Sequence, residues 1–119
     1  MVTPRHRYAQ LIATLTSRPG VTVAAVRKRG LGSTALCVDG RIFAVLSSSE
    51  QLVVRLAKER VEALVGAARG SHFEPVHGQP MQEWFVAGPG QEKDWLSLAE
   101  EALSVAKSRQ EERSHDVLP

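Results

Sequence analysis

His72, Glu74 and His77 fall within one short span, and Glu83 lies a little further on. Imidazoles and carboxylates are the groups of metal sites and of general acid–base catalysis. The spacing argues against a metal. Four residues separate His72 from His77, Pro75 stiffens the chain between them, and no helical or ribbon zinc pattern has that form. No metal and no cofactor is therefore expected. The stretch reads instead as an elbow feeding the second helix into a strand. Pro75, Gly78 and Pro80 punctuate a turn, Phe73 and Met81 plug the core, and Trp84 starts the strand as an anchor. The alternative is a small-ligand or enzymatic loop over His72–Pro80, using His72, His77 and Glu83.

Nucleophilic catalysis needs a nucleophile, a base and an orienting group within reach. Cys37, the single cysteine, falls in an expected strand, where a thiol behaves as a small buried apolar group. No Gly-x-Ser-x-Gly elbow is present. "GLGSTA" precedes a strand rather than a helix, so no helix N-terminus faces an anion there. No catalytic residue is assigned, and a non-enzymatic protein is expected.

Charge offers a different chemistry. Residues 1–60 hold ten Lys and Arg against Asp39, Glu50 and Glu59, while the second half is acid-rich. Arg27, Lys28 and Arg29 are consecutive, and Arg41 and Arg55 extend them into a candidate phosphate-binding patch. Aromatic side chains for base stacking are scarce in this half. The favoured reading of the asymmetry is an acidic helix lying across a basic sheet in one body.

These groups need a scaffold. At 119 residues the chain is expected to form one domain over 1–109, followed by a polar, disordered tail over 110–119. No apolar run reaches membrane-spanning length, and a single cysteine excludes an internal disulfide; a reducing, cytoplasmic setting is the simple reading. Thr3-Pro4 starts a first helix with the stripe Tyr8, Leu11, Ile12 and Leu15. "VTVAAVRKR" is only β-leaning. Asp39-Gly40 between two β-rich runs predicts a type I′ hairpin, with Val38 opposite Arg41 and Leu36 opposite Phe43. A four-residue loop at "SSSE" then sets Val45 opposite Leu52 and Phe43 opposite Val54.

That register sorts side chains between two faces. One face carries Leu36, Val38, Phe43, Val45, Leu52, Val54 and Leu56 and awaits helices. The other carries Ala35, Cys37, Ile42, Ala44, Leu46, Val53 and Arg55. It is too apolar for open water, so another strand's side chains or a second subunit should cover it. Cys37, Ile42, Ala44, Leu46 and Val53 form the candidate partner or homodimer face. "AKERVEALVGAARG" reads as the second helix, with Gly70 at its left-handed C-terminal position. "QEWFVA" reads as a strand, and a third helix starts near Glu92 with the stripe Trp95, Leu98, Ala99, Ala102 and Ala106.

The expected order is α-β-β-β-α-β-α, with room for a further short strand near Phe73. That is a two-layer α+β domain, with a three-stranded antiparallel meander plus further strands and helices on one face.

"VDGRIFAVL", "LVVRLAKERVEALV", "FEP" through "GQPMQEW", and "WLSLAEEAL" together resemble the N-terminal domain of TfoX/Sxy-type competence regulators, in its stand-alone, single-domain form. The resemblance runs from about Val26 to Ala106. It implies a YjbR-like α+β fold and a regulatory role through contacts with a protein such as a transcription factor. It supplies no catalytic residue.

Overall fold

The computed structural model describes residues 3–25, 31–47, 49–76 and 79–117, with backbone alone at 31–33, 75–76, 79–80 and 109–117. The elements are α1 (Pro4–Leu15), β1 (Val21–Ala25), β2 (Leu31–Val38), β3 (Arg41–Ser47), β4 (Leu52–Arg55), α2 (Lys58–Gly66), β5 (Gly70–Val76), β6 (Gln79–Ala87), a 3-10 turn at Glu92–Asp94 and α3 (Trp95–Val117). The strands form one antiparallel sheet in the order β1-β2-β3-β4-β6-β5. This is the expected two-layer α+β architecture, with helices on one face. None of the described helices is long and apolar enough to cross a membrane.

The layers follow from local chemistry. Thr3 caps α1 by accepting a hydrogen bond from the His6 amide at 3.1 Å, and Pro4 occupies the first turn. Tyr8, Leu11 and Leu15 of α1, Val61 of α2, and Trp95, Leu98, Ala99, Ala102 and Leu103 of α3 meet Leu36, Val38, Phe43, Leu52, Val54, Leu56 and Phe85 in one core. Every buried helix residue described belongs to that cluster, so the helices all cover the same side of the sheet. The ends of the basic half and the acidic half are tied by Arg18–Glu100, Arg60–Glu101 at 3.0 Å and Arg55–Glu83 at 3.3 Å. The acids of α3 meet Arg18 after α1 and Arg60 of α2 rather than cations of the sheet, and Arg55 of β4 is paired within the sheet by Glu83 of β6.

The hairpin turn is as expected: Asp39 and Gly40 both have positive φ, 51° and 79°, and Val38 lies opposite Arg41. One pair further on the register changes. Cys37 faces Ile42, but Leu36 faces Ala44 rather than Phe43. Phe43 and Ala44 thus share one partner, a β-bulge, and both are fully buried on the helix side. Beyond a bulge the alternation inverts. Leu46 therefore joins the helix-side core, while Val45 moves to the other face.

The next loop departs by one residue as well. Leu46 faces Leu52, Val45 faces Val53 and Ala44 faces Val54. Glu50 adopts φ 63°, and its amide donates to the Ser47 carbonyl at 2.9 Å, which closes a tighter turn than four residues. The two one-residue shifts cancel in β4. Leu52, Val54 and Leu56 therefore reach the expected helix side and Val53 the opposite side.

β1 exceeds the expected order, and the short strand allowed near Phe73 is the seven-residue β5. β1 pairs with β2 over five consecutive residue pairs, despite its alanines. The stretch read as an elbow is a hairpin: β5 runs through Pro75 and pairs with β6. Proline is tolerated there because β5 is an edge strand. Met81, expected in the core, is 41% exposed. The helical backbone of α3 also continues past 109 to Val117, inside the segment assigned to a tail.

The end of α2 differs in mechanism. Ala68, not Gly70, holds the left-handed position (φ 61°), and the Arg69 amide donates to the Leu64 carbonyl at 3.0 Å in a Schellman closure. Gly70 is required for a steric reason. A Cβ there would sit 2.0 Å from the Val86 carbonyl oxygen and 2.6 Å from the Phe85 ring. Gly70→Ala should cost roughly 3 kcal/mol or more in urea denaturation. Ala68→Gly should add about 1 kcal/mol by relieving the left-handed strain. Equal effects at the two positions would contradict both assignments.

Candidate functional site

The side of the sheet without helices carries its own apolar cluster. Ala35 and Cys37 of β2, Val45 of β3, Val53 of β4 and Val86 of β6 are buried together. Ile42, Phe73 and Trp84, all half-buried, pack against them. These larger side chains are what cover the small ones. This is the outcome in which another strand's side chains shield the face, with β5 and β6 as the donors.

The five residues proposed for a partner face therefore separate. Ala44 and Leu46 lie in the helix-side core, because the bulge turns them there. Cys37 and Val53 are on the helix-free side but buried beneath their neighbours. Ile42 alone of the five is partly accessible there. The residues that sequence reasoning missed on this side are Val45, Phe73, Trp84 and Val86. Trp84 was expected to start the strand as an anchor, with no side assigned; its place opposite Arg55 in the β4–β6 register puts it on the helix-free side.

Arg55 completes this surface. It pairs with Glu83 at 3.3 Å, and its Nε is buried without a hydrogen-bond partner. A polar atom left so costs about 1–3 kcal/mol. Arg55, Arg41 and Ile42 also line one small recess beside Val105 and Ala106 of α3, so this end of the surface abuts the helix. Two of the five candidate phosphate-binding residues are thus brought together. Arg27, Lys28 and Arg29 lie outside the described residues.

The alternative ligand loop is not assembled as drawn. His72 is half-buried on β5 opposite Phe85, and Glu83 is engaged with Arg55. His77 lies outside the described residues. Among the described residues no group of three or more His, Cys, Asp or Glu could hold a metal ion. Two larger clefts lie on the helix side. One, of about 510 Å³, runs between α1 and the start of α3; the other, of about 370 Å³, lies between α2 and α3. Neither is lined by His72 or Glu83. In the second, Arg60 and Arg69 are already paired with Glu101 and Asp94.

The single cysteine is chemically quiet. Burial pushes the Cys37 thiol above its ordinary value. The Tyr8 hydroxyl is raised further, chiefly by burial and secondarily by Cys37, and donates to the Thr34 carbonyl at 2.9 Å. A thiol so raised is mostly protonated near neutrality and is a poor nucleophile.

No family model matches the chain, and no curated protein or solved structure matches it.

The two raised groups set an alkaline limit. Each has a folded-state pKa above its unfolded one, so their contribution is complete below the ordinary values of 9.0 and 10.0 and is lost as pH rises past them. The melting temperature should fall progressively above about pH 9. Tyr8→Phe should melt lower at neutral pH by about 1 kcal/mol for the lost hydrogen bond, yet show a shallower decline above about pH 10. Parallel declines in the two proteins would rule out Tyr8 as a source.

Proposed function

We propose that this chain is a non-enzymatic interaction protein that binds another protein on the helix-free side of its sheet, in a regulatory role. The observation that carries the reading is the composition of that surface. Trp84, Phe73 and Ile42 stand half-buried over an apolar floor, with Arg55 beside Trp84. Tryptophan, phenylalanine and arginine are enriched at the energetic centres of protein interfaces. The floor of Ala35, Cys37, Val45, Val53 and Val86 is closely packed. It holds the larger residues in place, so little side-chain entropy remains to be lost on docking.

The resemblance to the TfoX-type N-terminal domain supports the regulatory part. It suggests a transcription factor or another regulatory protein as the class of partner. The half-buried aromatic ledge supports the protein part independently of that resemblance. Nucleic acid fits this surface less well, because the ledge is apolar and Arg55 is engaged with Glu83.

The test is capture from native extract with the whole chain as bait, scoring protein and nucleic acid together. A defined protein should be retained by the wild-type chain. Trp84→Gln should weaken its binding by about 2 kcal/mol, roughly thirtyfold. A melting curve checks that the variant remains folded. Binding that survives Trp84→Gln unchanged, or recovery of nucleic acid alone, would overturn the reading.

A further inference from the structure

The two edges of the sheet are built differently. β5, at one edge, contains Glu74 and Pro75 and has two register irregularities against β6. Charge, proline and bulges are the devices by which edge strands avoid pairing with other chains. β1, at the other edge, has none of them. Its sequence is Val-Thr-Val-Ala-Ala, its register against β2 is unbroken, and Thr22 to Ala25 are exposed.

The outward hydrogen-bonding groups of β1 can be assigned. In a two-residue hairpin the closing residues, here Val38 and Arg41, bond to each other. Val38 therefore directs its amide and carbonyl toward β3. By alternation Cys37 and Ala35 direct theirs toward β1, where they meet Thr22 and Ala24. Val21, Val23 and Ala25 then point away from the sheet. The Val21 amide agrees, since it donates to the Arg18 carbonyl outside the ladder at 3.3 Å.

Val23 is anomalous within this edge. It lies opposite Leu36, a core residue of the helix side, yet it is 44% exposed. The helix layer ends before it covers Val23, leaving a β-branched side chain bare beside backbone that no described strand pairs on its outer side.

We infer that β1 pairs with β1 of a second copy of this chain, antiparallel and centred on Val23, to join two six-stranded sheets into one. In this register Val23 faces Val23 of the second copy, and Val21 faces Ala25. All three are the outward-pointing residues, so the two Val23 residues exchange both of their hydrogen bonds and each Ala25 amide meets a Val21 carbonyl, while the Val21 amide stays with Arg18. The two bare Val23 side chains meet on the helix side and extend both cores. No residue between Val21 and Ala25 is ionisable, so the two strands bring no like charges face to face. The contact is isologous, which closes at two copies instead of growing into a fibre. Five residues a side is short, so the buried area falls below about 1,200 Å² and the dimer dissociates on dilution. This contact is distinct from the ledge around Trp84.

Sedimentation velocity of the full chain from about 10 µM to about 1 mM covers the range in which such a contact should form. The wild-type chain should pass from monomer to dimer. Val23→Lys places a charge against its own symmetry mate and should remain monomeric throughout. Val23→Pro removes an outward amide while leaving the Thr22 and Ala24 ladder in place, and should do the same. Both variants should keep their melting temperature at low concentration, which separates loss of pairing from loss of fold. A wild-type monomer at the highest concentration would overturn the inference. So would a dimer that persists in both variants, or one that Trp84→Gln abolishes instead.

Discussion

The bulge at Phe43 and Ala44 decides what the two sides of this sheet are made of. Both residues sit opposite Leu36 and both enter the helix-side core. Without the extra residue, Val45 would face the helices, and Ala44 and Leu46 would face away. With it, α3 packs on Phe43, Ala44 and Leu46, and the helix-free side receives the smaller Val45. A surface of small buried residues can then support the larger Ile42, Phe73 and Trp84 from β3, β5 and β6. The proposed binding ledge is thus a consequence of one inserted residue in the third strand.

Helices on one side alone leave the sheet with two unequal layers. The thick layer is conventional. Apolar stripes of three helices close over it, and the ion pairs Arg18–Glu100 and Arg60–Glu101 tie α3 to the rest at the rim. Such exposed pairs contribute little stability, typically about 0–1 kcal/mol each, so their role is chiefly orientation. The thin layer has no helix and relies on side chains lying across it. On this thin side the large residues Ile42, Phe73 and Trp84 remain partly accessible.

Much of this was legible in the sequence. Asp39-Gly40 announces its turn because both positions need positive φ, and Thr3-Pro4 announces a helix start. The stripes of α1 and α3 follow from helical spacing. What stayed hidden had no residue to mark it. No glycine or proline flags the bulge at Phe43–Ala44, which arises because both residues fit the core. Glu50 and Ala68 occupy left-handed backbone where glycine is usual, so neither the tight loop nor the end of α2 announced itself. The two register errors cancelled in β4, which is why Val53 was placed on the right side and Ala44 and Leu46 were not. β5 was obscured by Pro75, a residue that argues against strand except at an edge. The helix-free side was thus legible as an apolar second side needing cover, but not as a residue set.

Docking of a partner on the ledge around Trp84, as proposed, can be followed by the fluorescence of that residue. The chain has two tryptophans, and Trp95 is only 4% exposed in the helix-side core. Replacing Trp95 with Phe leaves Trp84 as the sole indole reporter, and melting verifies the fold. Addition of the captured partner should shift the Trp84 emission to the blue and protect it from acrylamide quenching. An unchanged Trp84 signal in a complex known to have formed would place the contact elsewhere and rule out the ledge as the docking site.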